Sequence, residues 1–133
     1  LTVPLDLQLA VQTSCLIDKP IGNLTLNYTS LQKTPVTAST PVLLVCNSGL
    51  PWTVGLQGPG APHAPPANPL THQSMLGLNY SMQVTPTAGT GLGNINNGEQ
   101  PVMIELTVPG GQAGNCSTGS CSASATHTLV ITY

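Results

Sequence analysis

Four cysteines and three histidines are the residues of this 133-residue chain best suited to chemistry. An even number of cysteines in a small, loop-rich chain favours disulfides and an oxidising compartment. Three pairings are possible, and we favour Cys15–Cys46 with Cys116–Cys121, because the second pair would close the tight loop C-S-T-G-S-C. The alternative is a zinc site built from three of the sulfurs and His127. That site is less favoured, because the C-x4-C spacing lacks a second matching pair.

The remaining reactive side chains form no recognisable catalytic set. His63 and His72 lie nine residues apart in one Pro-rich segment, and Ser48, Ser74 and Ser81 have no G-x-S-x-G context. The four carboxylates are scattered along the chain. A histidine in such a segment is more often solvated than catalytic or metal-bound. We therefore predict a protein that is not an enzyme and holds no metal or cofactor.

Charged residues are rare and unevenly placed. The chain has two Lys, no Arg and four acidic residues, and none of these lies between Lys33 and Glu99 or after Glu105. Nucleic-acid binding requires cationic side chains that neutralise phosphates, so a nucleic-acid partner is excluded. The same shortage excludes a polybasic membrane-surface role, and no apolar run approaches the roughly 20 residues of a membrane helix.

Period-two alternation of apolar and polar residues dominates the sequence, which is the pattern of half-buried β-strands. It recurs in segments 1–11, 24–28, 52–56, 76–84, 102–108 and 125–133. The continuous apolar run "PVLLVC" (41–46) predicts a strand buried on both faces. Long connections are expected at roughly 57–75, 85–100 and 109–124. Together these features predict a single domain, residues 1–133, with about seven strands in an antiparallel β-sandwich.

Several of these segments occur in an order that resembles a known family. They are "SCLI" (14–17), "LTLNYTSL" (24–31), "TASTPVLLVCNSGLPWTVGLQGPG" (37–60), "LGLNYSMQV" (76–84), "PVMIELTVPGGQ" (101–112) and "THTLVITY" (126–133). The set resembles the spore coat protein U domain found in Csu-type subunits of archaic chaperone–usher pili. The extra Cys116–Cys121 pair departs from the family pattern.

The resemblance implies an incomplete immunoglobulin-like sandwich of the pilin type. In such a domain a missing edge strand leaves a groove, which a neighbouring pilus subunit or a periplasmic chaperone fills by β-strand addition. Residues 1–11 suit either a donor strand for a neighbour or the first strand of this domain. Pro4 favours an edge position. We expect the chain's own first strand to start near Leu7, because few residues precede it.

A subunit that donates no strand would sit at the pilus tip, so we expect an adhesive tip domain of the kind found in two-domain tip subunits, which promotes attachment and biofilm formation. It would be exported through the periplasm to the bacterial cell surface. The alternatives are a structural shaft pilin polymerised by donor-strand exchange and a carbohydrate-binding lectin.

The charge-free loops are the expected contact surface for an abiotic or host surface, because uncharged groups lose little solvation on contact. The stretch 57–74 is interpreted as a contact finger, or alternatively as a rigid loop packed on its own sandwich. Trp52 is interpreted as a core aromatic or as an exposed anchor. The predicted adhesive residues are Leu50, Pro51, Trp52, Pro62, Pro65, Pro66, Pro69, Leu70, Val108 and Pro109.

Overall fold

The computed structural model describes residues 1–18, 23–60, 64–93 and 98–133. Within these ranges the chain forms eight strands and no helix. The strands are β1 (Cys15–Ile17), β2 (Val36–Cys46), β3 (Pro51–Gln57), β4 (Leu70–Met75), β5 (Leu78–Thr85), β6 (Ala88–Thr90), β7 (Glu99–Val108) and β8 (Thr128–Thr132).

The strands form two antiparallel sheets. One sheet has the order β1-β2-β7-β5-β4 and the other the order β6-β3-β8. The run β1-β2-β7-β5 matches the A-B-E-D sheet of an immunoglobulin domain, and β3-β8 matches strands C and F of the second sheet. The predicted antiparallel β-sandwich is therefore confirmed.

The core lies between the sheets, and period two explains its composition. In β2 the side chains of Val42, Leu44 and Cys46 are buried, whereas Leu43 and Val45 are only half-buried. Successive side chains of a strand point to opposite faces, and only one face of this sheet is covered by the other sheet. The prediction that "PVLLVC" is buried on both faces was therefore wrong.

Several predicted boundaries also differ from the structure, and the connection expected at 85–100 contains β6 and the start of β7. The first strand begins at Cys15 rather than near Leu7, so residues 1–11 lie outside both sheets. The segment predicted as a loop up to residue 75 contains β4, which pairs with β5 through a turn at Leu76 and Gly77. The segment 24–28 is not a strand, although Leu24 and Leu26 pack against the core.

Both predicted disulfides are present. Cys15 and Cys46 are cross-strand partners of β1 and β2, and Cys116 is bonded to Cys121 across a loop. The zinc alternative is wrong, because all four sulfurs it could use are oxidised. The first disulfide spans 31 residues, and closing a loop of that length contributes roughly 3–4 kcal/mol of stability in the chain-entropy model.

The described residues include no helix long and apolar enough to cross a membrane.

Candidate functional site

The outer edge of β8 is one of the open edges of the sandwich. β8 pairs with β3 and ends its sheet, and no other strand of the described ranges lies beside it. In an immunoglobulin domain a further strand, G, occupies that position. An unpaired edge presents free backbone N–H and C=O groups that can pair with another strand.

The apolar side chains of β8 are also incompletely covered. Leu129 lies opposite Leu56 of β3, and Ile131 lies opposite Val54. Cross-strand partners share a sheet face, so all four side chains point towards the core. Leu56 and Val54 are buried at 1% and 7% exposure, but Leu129 and Ile131 are only half-buried. The apolar surface beside β8 is therefore left partly uncovered.

The opposite side of the sandwich is closed by residues Ala64–Pro69, here called the proline strap. Ala67 forms a two-way backbone bridge with Leu56, with N···O distances of 2.8 and 2.9 Å. The Asn68 side chain accepts from the Val84 N–H (3.0 Å) and donates to the Val84 carbonyl (2.8 Å). Because Leu56 and Val84 belong to different sheets, the strap joins β3 to β5.

Close packing holds the strap against β3. Gly55 is buried, and a Cβ atom there would lie 2.7 Å from the Pro66 Cβ. The Gln57 side chain donates to the Ala64 carbonyl at 2.7 Å. The part of the Pro-rich stretch that the structure describes is therefore a rigid element packed on its own sandwich, although Pro65, Pro66 and Pro69 keep exposed surface.

Residues 1–11 contrast with this closed side. Their six apolar side chains are each at least 74% exposed, and the segment belongs to no strand. These side chains are Leu1, Val3, Leu5, Leu7, Leu9 and Val11. In an extended conformation they would all lie on one face, because side chains alternate with period two. Within the part of the chain that the structure describes, a strand-like apolar segment and the outer edge of β8 are thus both left without a partner strand.

Three predicted adhesive residues are in the core. Trp52 is 2% exposed, Val108 6% and Leu70 9%. The Trp52 ring packs against Gly89, its cross-strand neighbour, and its Nε1–H donates to Gln100 Oε1 at 3.3 Å. The alternative in which Trp52 is a core aromatic is confirmed. Leu70 and Val108 were misplaced because both belong to strands, β4 and β7, rather than to loops.

Six of the other predicted adhesive residues are half-buried or exposed, and Pro62 falls outside the described residues. Leu50 is half-buried and packs against the core. The exposed members are Pro51, Pro65, Pro66, Pro69 and Pro109. The exposed prolines occur on three separate segments.

The polar cluster that the sequence reasoning missed links the two sheets. The Tyr80 hydroxyl lies 2.7 Å from His127 Nε2, and His127 Nδ1 lies 3.1 Å from the Gln57 carbonyl oxygen. A carbonyl can only accept, so Nδ1 carries the proton and Nε2 of the neutral ring accepts from Tyr80. Burial raises the pKa of Tyr80 above its ordinary value. Tyr80 and His127 are 47 residues apart in the sequence, so no local pattern could predict their contact.

The cluster has no nucleophile or metal-binding geometry. Among the described residues, no group of three or more His, Cys, Asp or Glu side chains converges. The contacts of His127 instead join β5 to β3 just before β8 begins. The hydrogen bonds of Tyr80, His127 and the Gln57 carbonyl therefore suit a structural link between the two sheets.

Comparison with known proteins adds no family. Neither the family models nor the curated proteins compared with this sequence gave a match. The function proposed below is therefore based on the residues and geometry of this chain.

Proposed function

We propose that the chain is a non-enzymatic structural subunit that joins other copies of itself by β-strand addition. Residues 1–11 of one copy would pair with the free edge of β8 in the next copy. The observation that carries the proposal is the exposure of six alternating apolar side chains in a segment that pairs with no strand of the described ranges.

The free energy of burying apolar side chains favours a partner for residues 1–11. Fully burying a Val or Leu side chain is worth about 1.5–3 kcal/mol. Six such side chains represent roughly 9–18 kcal/mol of gross stabilisation, against which the cost of ordering the segment must be set. The half-buried side chains of Leu129 and Ile131 provide apolar surface at the same edge. The backbone bonds of an added strand would also satisfy the free groups of β8.

The strap would block strand addition on its own side of the sandwich. Residues Ala64–Pro69 already bond to the edges of β3 and β5 on their side of the sandwich. Three of the six strap residues are proline, which lacks a backbone N–H and cannot complete a strand ladder. The β8 edge has no such protection in the described residues. One donor segment and one acceptor edge per copy produce a linear, head-to-tail assembly.

The motif resemblance supports a specific biological role for this assembly. We infer a shaft subunit of an archaic chaperone–usher pilus, exported through the periplasm and assembled at the bacterial surface. A periplasmic chaperone would cover the β8 edge before assembly. The two disulfides fit an oxidising compartment. The shaft role is favoured over the tip role because residues 1–11 lie outside both sheets, where they are available to a neighbouring copy.

A lectin function is less well supported. Sugar-binding sites commonly use an exposed aromatic ring, but the Trp52 and Tyr80 rings are buried at 2% and 8% exposure. The remaining aromatic residues are Tyr28, which is half-buried, and Tyr133. Neither residue lies in the charge-free Pro-rich stretch.

Competition with a synthetic peptide of residues 1–11 tests the proposal. The full chain is refolded from denaturant over a range of concentrations, and its assemblies are sized by sedimentation velocity. We expect concentration-dependent polymers that shorten when the peptide is added in excess. The control peptide has Asn at the positions of Leu5, Leu7 and Leu9, and it should leave the polymers unchanged. A chain that stays monomeric at every concentration, with residues 1–11 protected from proteolysis, would contradict copy-to-copy addition.

A further inference from the structure

The two disulfides lie in contrasting surroundings. Cys46 is 1% exposed and Cys15 is half-buried, and both belong to paired strands. Cys116 and Cys121 are both exposed and lie in the connection between β7 and β8. Thiol–disulfide exchange requires access of a thiolate to a disulfide sulfur. The Cys116–Cys121 bond meets this requirement, whereas the Cys15–Cys46 bond is shielded by the core.

The loop that carries the exposed disulfide is anchored outside the Cys116–Cys121 ring. The Gln112 side chain accepts from the Asn79 N–H (2.7 Å) and donates to the Asn79 carbonyl (3.0 Å). The Asn115 N–H donates to the Leu76 carbonyl at 2.6 Å. After the ring, His127 bonds to Tyr80 as described above. Opening the disulfide would break none of these contacts, so the fold should survive it.

Thr118 makes the two sulfurs of the ring unequal. Its hydroxyl oxygen lies 3.4 Å from Cys121 Sγ and 3.9 Å from Cys116 Sγ. The hydroxyl donates to the Ser120 carbonyl at 3.0 Å while the disulfide is intact. A thiolate formed on Cys121 would offer this hydroxyl a charged acceptor, and hydrogen bonding to the charged form lowers a thiol's pKa. A thiol of lower pKa leaves faster, so Cys121 is the better leaving group.

We propose that Cys116–Cys121 is an exchange site for low-molecular-weight thiols. The thiolate of the small molecule attacks Cys116 Sγ, a new S–S bond forms, and the Cys116–Cys121 bond breaks. The electron pair of that bond leaves on Cys121 Sγ as a thiolate, which takes a proton from water. No external oxidant or reductant is consumed, since one disulfide replaces another. The Cys121 thiolate reverses the reaction by attacking Cys116. This site is independent of strand addition at β8.

Reduced glutathione is the probe for the first experiment. The folded full chain is incubated with it at pH 8, quenched with acid and mapped by peptide mass spectrometry. We expect the adduct on Cys116 and a free thiol on Cys121, formed at least about tenfold faster than any opening of Cys15–Cys46, because of the difference in access. Trp52 fluorescence should stay unchanged. Equal opening rates for the two disulfides, or the absence of an adduct in the folded chain, would overturn the proposal.

Three variants test the leaving-group assignment. Thr118→Val should slow exchange and distribute the adduct between both cysteines, and Thr118→Ser should restore attack at Cys116. Ser117→Ala removes another hydroxyl of the same ring and should change neither the rate nor the position. A Thr118→Val chain that still carries its adduct on Cys116 alone would show that the hydroxyl does not select the sulfur.

Discussion

Leu7 is the residue whose replacement tests strand addition most directly. It lies in the middle of the apolar series of residues 1–11 and is 84% exposed, so its own fold should lose little when it is changed. Its neighbour Gln8 lies between two apolar positions, so its side chain would be on the opposite face of an extended strand. Leu7→Asp and Gln8→Asp therefore add the same charge to the same segment, but on different faces of an extended strand.

The magnitude follows from the contacts that Leu7 would make in an acceptor copy. Losing a buried Leu removes about 1.5–3 kcal/mol, and a carboxylate placed against apolar side chains adds a solvation cost of at least about 1–3 kcal/mol. We expect Leu7→Asp to weaken association by about 4 kcal/mol, which is roughly a thousandfold because each 1.4 kcal/mol corresponds to a factor of ten. Gln8→Asp should weaken it less than about tenfold, because its charge stays in water.

Sedimentation velocity over a dilution series measures both effects. The concentration at which half of the chain is assembled should rise about a thousandfold for Leu7→Asp and little for Gln8→Asp. Trp52 fluorescence should match the parent in both variants, and the mass of each variant should equal that calculated for its own sequence with both disulfides intact. Normal assembly of Leu7→Asp would refute the reasoning, and so would equal losses in the two variants, because the second result would point to charge rather than burial.

The packing of the sandwich gives three further predictions, all measured as the free energy of unfolding in urea. A Cβ at Gly89 would overlap the Trp52 ring, so Gly89→Ala should destabilise the fold by about 1–3 kcal/mol, while Gly119→Ala, which meets nothing within 4 Å, should be nearly neutral. Asn68→Ala removes both strap bonds to β5 and should cost about 1–3 kcal/mol; a neutral result would mean that the strap is held without Asn68. Burial raises the pKa of Tyr80 in the folded state. The contribution of the protonated Tyr80 hydroxyl to stability is therefore complete below pH 10.0 and is lost as the pH rises towards the raised pKa. In Tyr80→Phe this loss of stability at alkaline pH should be smaller.

Much of the strand content could be predicted from residue alternation, and the Cys116–Cys121 bond from cysteine spacing. The apolar residues of β5 and β7 recur with period two, which defines their two faces without any knowledge of the partners. The C-S-T-G-S-C spacing indicated a local bond. These signals are local, so a single sequence is enough to detect them.

The candidate site could be predicted only in part. Alternation marked residues 1–11 as a strand-forming segment, but it could not show whether a partner lay within the same fold. The predicted adhesive residues Trp52, Leu70 and Val108 were misplaced for a related reason. A turn signal near a residue says that the chain changes direction there, but it does not say whether the side chain points towards the opposite sheet.

The sequence by itself indicated most of the long strands and the local Cys116–Cys121 bond, because these depend on simple periodicity or on residues that are close together. The tertiary structure alone decided which edges are closed. Asn68 reaches Val84 across 16 residues and Ala67 bonds to Leu56, so the strap seals one side of the sandwich. β8 pairs with β3 and has no second neighbour among the described residues, while residues 1–11 remain outside both sheets. Backbone hydrogen bonds between distant segments carry no side-chain signature, so only the folded chain shows where a strand is missing.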